Sequence, residues 1–335
     1  MQSVAGLAVW FAARTLPGRT VSQTGGLGPR VGKSPVTARV VQAVLDTIPV
    51  SSPAPLVFTD LLTPSAASGV KSHGRLKCEF DRRGSETYLA TAFQSGCLRT
   101  RTLSANPDDL LAVAIINTAG GLTGGDNLAQ RIAWRAGARA MITTPAAEKI
   151  YRSSAGCARI AVDLSIEEGC EAEWLPQETI LFEGGNLERT FEIHLAGSAS
   201  IVACDAIVFG RLARAEQLES GRLVDQLKVF RDGRLVLFDR TDIAGHLGKW
   251  LDRSSAANGH RCSAMVLAAG PGVEELVPDI RDCLERSSEL GGVSLVRGIV
   301  HIRLLARDDV GLRRLVADVL DVARRRRPLP RSWSC

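Results

Sequence analysis

From about residue 71 onward, apolar and polar residues alternate along the chain with a period of two. The alternation is regular in residues 75–80 and 86–93, on either side of a turn at residues 82–85, and again in residues 128–134. Such a period places successive side chains on opposite faces of a β-strand. The first two segments are therefore predicted to form a hairpin.

Further alternating segments follow, most of them separated by turns that contain glycine. They are residues 138–143, 158–166, 171–175, 190–195, 200–209, 227–230 and 235–239. The last two flank Asp232-Gly233, a dipeptide typical of tight hairpin turns. Many short strands at roughly ten-residue spacing predict a mainly β fold, built as a sandwich, a barrel or a β-helix-like stack.

About two helices are predicted near the end of the chain. Apolar residues keep i, i+3, i+4, i+7 spacing between residues 312 and 323, and Asp308 or Asp309 can cap the first turn. Four arginines follow at residues 324–327, where positive charge suits the C-terminal end of a helix. A second, shorter helix is predicted at residues 278–290.

The first 70 residues differ in composition from the rest. They contain no acidic residue before Asp46 and are rich in serine, threonine, glycine and proline. An arginine-rich, acid-poor start is also typical of a transit peptide, but we favour a disordered or non-homologous extension. The expected organisation is this extension at residues 1–70 and one β domain at residues 71–335.

Composition narrows the classes of function. The net charge is only +5 and aromatic residues make up 5% of the chain, which disfavours a nucleic-acid-binding surface. No apolar run approaches the roughly 20 residues that a membrane helix needs. The eight cysteines include no C-x-x-C pair, so we expect reduced core thiols in a cytoplasmic protein.

The most unusual segment is residues 116–126, in which two glycine pairs are closed by Asp126. Glycines this dense indicate positive φ angles or a second backbone lying close by. A phosphate-binding loop would continue into Gly-Lys-Ser/Thr and a helix, whereas here an acidic residue and an alternating segment follow. We therefore favour a strand-to-strand corner that presents Asp126 over a nucleotide cradle.

No set of catalytic residues can be assembled from the spacing. The five histidines lie far apart, and the chain contains no G-x-S-x-G, so it is not expected to be an enzyme. Residues 143–153 and 173–183 carry more polar groups than simple packing needs. In the second of these, Gln177, Glu178 and Glu183 either have partners in the interior or face water.

Five motifs, in this order and at these separations, resemble a known family. They are residues 117–126, 143–153, 174–180, 209–211 and 327–333. Together they are similar to the urease accessory protein UreD, called UreH in some bacteria, over about residues 71–335. The motif residues are Gly120, Gly121, Gly124, Gly125, Tyr151, Arg152, Trp174, Pro176, Gln177, Gly210 and Arg211.

The resemblance implies a mainly β protein without catalytic activity of its own. Members of this family act as scaffolds between the urease apoprotein, the helical UreF and the GTPase UreG, with a homodimer in the accessory complex. The assembly delivers nickel to the urease active site, and the ion is thought to pass through an internal tunnel. The resemblance thus implies no tightly bound cofactor, only nickel in transit. Neither a nucleic acid nor a membrane is an expected partner.

The sequence departs from the family pattern at several positions. Asn117-Thr118-Ala119 stands where many members have His-Pro-Pro, Glu148 precedes the lysine of the second motif, and Ala215 replaces a frequent glycine. The missing histidine removes one candidate nickel ligand.

Acidic candidates for transient nickel passage remain, namely Asp126, Glu178 and Asp205. Carboxylates bind nickel weakly, which suits passage more than storage. The alternative reading is a β-rich enzyme that uses Asp126 and Glu178 as paired carboxylates in acid–base catalysis.

Overall fold

The computed structural model of the protein describes residues 71–103, 110–135 and 137–333. The expected extension at residues 1–70 lies outside these ranges and stays a prediction. The described chain is mainly β and contains seventeen strands. They are β1 (His73–Arg83), β2 (Glu86–Gly96), β3 (Leu98–Thr102), β4 (Leu111–Asn117), β5 (Asn127–Trp134), β6 (Arg139–Thr143), β7 (Glu148–Ile150), β8 (Ala158–Ile166), β9 (Glu171–Leu175), β10 (Thr179–Leu181), β11 (Asn186–Leu195), β12 (Ser200–Phe209), β13 (Arg222–Arg231), β14 (Arg234–Ala244), β15 (Cys262–Ala269), β16 (Leu290–Val296) and β17 (Ile299–Ala306).

The first sheet contains seven strands in the order β14-β13-β11-β8-β5-β1-β2. Its five central strands are parallel to their neighbours, and the strands at its two edges close antiparallel hairpins. One row of apolar side chains crosses the middle of the sheet in register, and each of its members is fully buried. The row consists of Cys78, Ile132, Leu164, Ile193 and Val229.

The second sheet has the order β16-β17-β15-β12-β9-β6-β4-β3, and β10 joins it beside β12 and β7. Between β4 and β13 the chain passes repeatedly from one sheet to the other, so each coil lies on the preceding one. The strands are therefore parallel to partners from neighbouring coils and not to their neighbours in sequence. This arrangement confirms the predicted mainly β fold in its β-helix-like form.

The described chain also contains three α-helices: α1 (Leu247–Asp252), α2 (Leu276–Arg286) and α3 (Asp309–Ala323). Helices α2 and α3 cover one face of the second sheet with an apolar layer, while its other face packs against the first sheet. The predicted cap is confirmed, because the Asp308 carboxylate accepts a hydrogen bond from the Gly311 amide. None of the helices in the described ranges is long and apolar enough to cross a membrane.

Helix α2 ends earlier than its sequence pattern predicts. Ser287 is already extended, and Leu290 pairs with Leu305 as the first residue of β16. The next residue, Gly291, lies against the helix, since a Cβ atom on it would come within 2.6 Å of the Leu284 side chain. The glycine lets this edge strand pass directly beneath the helix.

Candidate functional site

Asp126 caps the glycine-rich corner between β4 and β5. It is 4% exposed, and its two carboxylate oxygens accept hydrogen bonds from the Ser72 and Thr123 amides, both at 2.8 Å. The amides of Leu122 and Gly125 donate to other backbone carbonyls. Because these amides donate hydrogen bonds within the protein, they do not form a phosphate cradle. The structure shows the predicted strand-to-strand corner.

Two of the four glycines are required by close contacts. A Cβ atom on Gly121 would lie 2.4 Å from the Tyr151 ring, and one on Gly124 would lie 1.9 Å from the Ser153 hydroxyl. A side chain at either position would collide with Tyr151 or Ser153 unless that residue moved. The corner is therefore built around the second motif, which lies against it in the next coil.

Successive corners stack along this side of the molecule. The backbone of Leu122 bonds to that of Lys149 and Tyr151, the Phe182 amide donates to Ile150, and the Gly210 amide donates to Leu181. The stacking brings together six motif residues that are far apart in sequence. These are Gly120, Gly121, Tyr151, Arg152, Gly210 and Arg211.

The outer layer of these corners is aromatic and basic. The Tyr151 hydroxyl donates to the Gly120 carbonyl at 3.2 Å, and the Tyr151 and Phe182 rings meet edge to face with centroids 5.2 Å apart. The Arg211 guanidinium lies 5.0 Å from the centroid of Phe182. Arg152 donates to the Glu183 carboxylate at 3.3 Å.

A second group of motif residues lies at the C-terminal end of β9. The Gln177 side chain donates to the Ser332 carbonyl at 2.9 Å and accepts from Arg313 at 2.8 Å. The Trp333 indole donates to the Leu175 carbonyl at 3.1 Å. The closing motif of the chain is thus bound to the Trp174–Ile180 segment, and Pro176 forms part of the same turn.

The polar residues of this second segment have partners in the protein. Glu178 accepts a hydrogen bond from Arg313 at 3.2 Å, and the Glu183 carboxylate accepts from the Ser220 hydroxyl at 2.7 Å. Of the two readings left open by the sequence, the one in which these groups have partners is correct. Only part of each carboxylate side chain remains exposed, 23% for Glu178 and 16% for Glu183.

The four arginines after α3 are all bound within the molecule. Arg324 forms two hydrogen bonds of 3.0 Å with Glu173, and both side chains are 2% exposed. Arg327 donates to Glu173 and to Glu171. Arg325 donates to backbone carbonyls, and Arg326 pairs with Asp321. These contacts explain the basic run without a nucleic-acid partner.

Asp205 borders a cavity of about 60 Å³ between the two sheets. Arg189 lies between two carboxylates there, at 2.6 Å from Asp205 and at 2.7 and 2.9 Å from the oxygens of Asp225. Burial raises the pKa of Asp205 to about 6; the charge of Arg189 opposes this shift, and the charge of Asp225 adds to it. This carboxyl group therefore changes its charge near neutral pH.

The opposite wall of the same cavity carries a third carboxylate, Asp239. It faces Arg303 and lies 3.2 Å from the Nε2 atom of His301. Burial works against its ionised form, yet the hydrogen bond from His301 and the charge of Arg303 hold its pKa at about 2.

The three acidic candidates do not form one metal site. Asp126 caps a corner, Glu178 binds Arg313, and Asp205 binds Arg189. Within residues 71–103, 110–135 and 137–333, no group of three or more histidine, cysteine, aspartate or glutamate side chains is placed to hold a metal ion. The different partners of Asp126 and Glu178 also give the paired-carboxylate enzyme no support.

Sequence reasoning missed Arg189, Asp225 and Asp239. The available signal was the position of Arg189, which shares the inward-facing parity of Phe191 and Ile193 in an alternating strand. A charged residue on an apolar face requires a buried counter-charge. The partners could not be identified, because they lie in other coils of the stack.

Comparison with known proteins agrees with the motifs. The model of a family described as UreD urease accessory protein matches residues 72–334. A protein of Xanthobacter autotrophicus is 37% identical over 82% of this chain and 96% of its own length, and one of Azorhizobium caulinodans is 37% identical over 78% and 96%. A third, from Bradyrhizobium diazoefficiens, is 36% identical over 81% and 97%. All three are named urease accessory protein UreD. The chain belongs to the UreD family of urease accessory proteins.

Proposed function

We propose that this protein is a non-catalytic scaffold in the assembly of the urease nickel centre. In this role it binds the urease apoprotein together with UreF and the GTPase UreG, as a homodimer within the accessory complex, in the cytoplasm. The observation that carries the proposal is the family match over residues 72–334, with relatives named for an accessory role. The absence of a phosphate cradle at the glycine corner agrees with GTP being bound by a partner.

Nickel is the proposed cargo, and it passes the protein without being stored. Asp205 and Asp239 face one cavity from two sides, while Arg189 and Arg303 offset part of their charge. A cation entering such a site meets carboxylate ligands whose hold is weak. Asp126 and Glu178 are the other two proposed points of passage.

Co-expression tests the scaffold. A tagged form of the chain is purified from cells that also express the urease subunits, UreF and UreG, and co-purifying proteins are identified. We expect both the apoprotein and the accessory proteins to be recovered. Recovery of neither would overturn the proposal.

Nickel-dependent urease activation tests the route. Asp205→Asn and the pair Asp126→Ala with Glu178→Ala are each expected to lower activation, while the co-purified complex persists. Asp242→Ala, on an exposed carboxylate (41% of the side chain), is the control and should activate normally. Activation at the wild-type level by the Asp126 and Glu178 pair would remove those residues from the route.

A further inference from the structure

One exposed surface combines aromatic and basic side chains that three successive corners of the stack bring together. It consists of Tyr151, Arg152, Phe182 and Arg211, and is called here the basic–aromatic corner. Tyr151 is 40% exposed, and the side chains of Arg152 and Arg211 are 69% and 42% exposed. Tyrosine, phenylalanine and arginine are the residue types enriched at the centres of protein–protein interfaces.

The charge that this corner presents to solvent is positive. The carboxylates that hold the two arginines, Glu183 and Glu216, are only 16% and 10% exposed. Their oxygens are also engaged by Ser220 and by the Arg211 amide. The anions therefore lie beneath the surface, and the guanidinium groups lie on it.

The side chains of the corner are held in place before any partner arrives. Because Gly121 has no side chain, the Tyr151 ring can lie against the backbone there. The Tyr151 hydroxyl donates a hydrogen bond to the Gly120 carbonyl. Arg211 is fixed by Glu216 and by its stacking on Phe182. A surface ordered in this way loses little side-chain entropy on binding.

We propose that the basic–aromatic corner is a docking surface for an acidic polypeptide segment of a partner in the urease assembly. The segment would place carboxylates on Arg152 and Arg211 and an apolar side chain against Tyr151. The proposal rests on the proposed function for the source of that partner. The chain's own first 45 residues are disfavoured as the occupant, because they carry basic residues and no acid.

Binding of a defined probe tests the surface itself. The probe is a short fluorescein-labelled peptide in which glutamate alternates with leucine and phenylalanine, measured by fluorescence anisotropy against the full chain. We expect Arg152→Gln with Arg211→Gln to weaken binding about tenfold, and Tyr151→Ala to weaken it further. The control is Arg131→Gln with Arg326→Gln, whose side chains are 43% and 69% exposed and which lie outside the corner.

Equal binding by the wild type, the corner variant and the control would overturn the proposal. The same variants are then compared in the co-expression experiment. Loss of partner capture in the corner variant alone supports docking within the assembly, whereas undiminished capture overturns it and leaves the scaffold function standing. If the wild type captures no partner, the scaffold function fails, and the peptide measurement still decides whether the corner binds acidic segments.

Discussion

Buried arginine–carboxylate contacts occur in two places, and their charge balance differs. Beyond α3, Arg324 and Arg327 meet Glu173 and Glu171. Arg139 also pairs with Glu171, so that three cations face two anions. Between the sheets, Arg189 alone faces Asp205 and Asp225. The first group carries an excess of positive charge, and the second carries an excess of negative charge.

The surroundings of the two groups differ as well. The Glu173 and Arg324 side chains are 2% exposed, whereas Asp205 and Asp225 are 14% and 27% exposed. Both groups line a cavity, so the difference lies in the exposure of these side chains. The pKa of Asp205 is raised by burial of its carboxyl group, and the charge of Asp225 adds to this shift. The comparison teaches that an arginine–carboxylate contact braces the fold where both side chains are almost fully buried. A carboxyl group that shares one arginine with a second carboxylate instead stays close to changing its charge.

The largest effect is expected at the buried pair of Glu173 and Arg324. Glu173→Gln leaves Arg324 buried without its counter-ion and should lower the free energy of unfolding by about 3–5 kcal/mol, measured by urea denaturation. Glu173→Leu with Arg324→Leu should recover most of that loss, because it removes both charges. A loss below about 1 kcal/mol for Glu173→Gln would show that this contact does not brace the fold.

At the cavity between the two sheets, Arg189→Met should lower the free energy of unfolding by less, about 2 kcal/mol at pH 7.5. The reason is that Asp205 can take up a proton and Asp225 keeps some contact with water. The loss of stability should be smaller at pH 5, where protonation of Asp205 removes one of the two negative charges that repel each other. A cost that does not change between these pH values would contradict the contrast between the two groups.

A smaller effect is expected from Asp205→Asn, and it depends on pH. The raised pKa means that Asp205 favours the folded state below its unfolded pKa and loses this contribution as the pH rises through about 6. Relative to the wild type, the variant should therefore gain about 1 kcal/mol between pH 5 and pH 7.5. The measurement is the urea midpoint of both proteins at each pH, and a change in favour of the wild type would refute it.

The smallest effect is expected on the solvent face of the first sheet. Glu192 binds Lys228 at 2.9 Å, and the two side chains are 30% and 25% exposed. Glu192→Gln should change the free energy of unfolding by less than about 0.5 kcal/mol, since water screens such a pair. A larger loss would mean that exposed pairs also brace this fold.

The alternation of the sequence was enough to locate most strands and to decide the fold class. Residues 158–166, 171–175 and 200–209 form strands with the predicted bounds. Alternation reports which face a side chain occupies and not which strand lies beside it. The parallel pairing of β5 with β8 and of β8 with β11 therefore had to come from the structure.

The candidate site was predictable only in part. The corner at Asp126 followed from the glycines and the strand after them, whereas the cavity combines residues from β11 to β17, whose proximity no local pattern encodes. The backbone conformation of Ala215 is another feature that the local pattern does not predict. It has a φ of +50°, a conformation that favours glycine, and it stands where the family resemblance expects one.

The bonds made by the closing motif can form only late in the synthesis of the chain. Leu175 and Glu173 lie on β9, yet Trp333 and Arg324 follow them by 158 and 151 residues. A nascent chain on the ribosome thus exposes the middle of the second sheet until nearly all of its described length has been made. A translation product that stops before the end of α3 would contain Glu173 but not Arg324. Its second sheet would be incomplete and exposed to the cell's proteases.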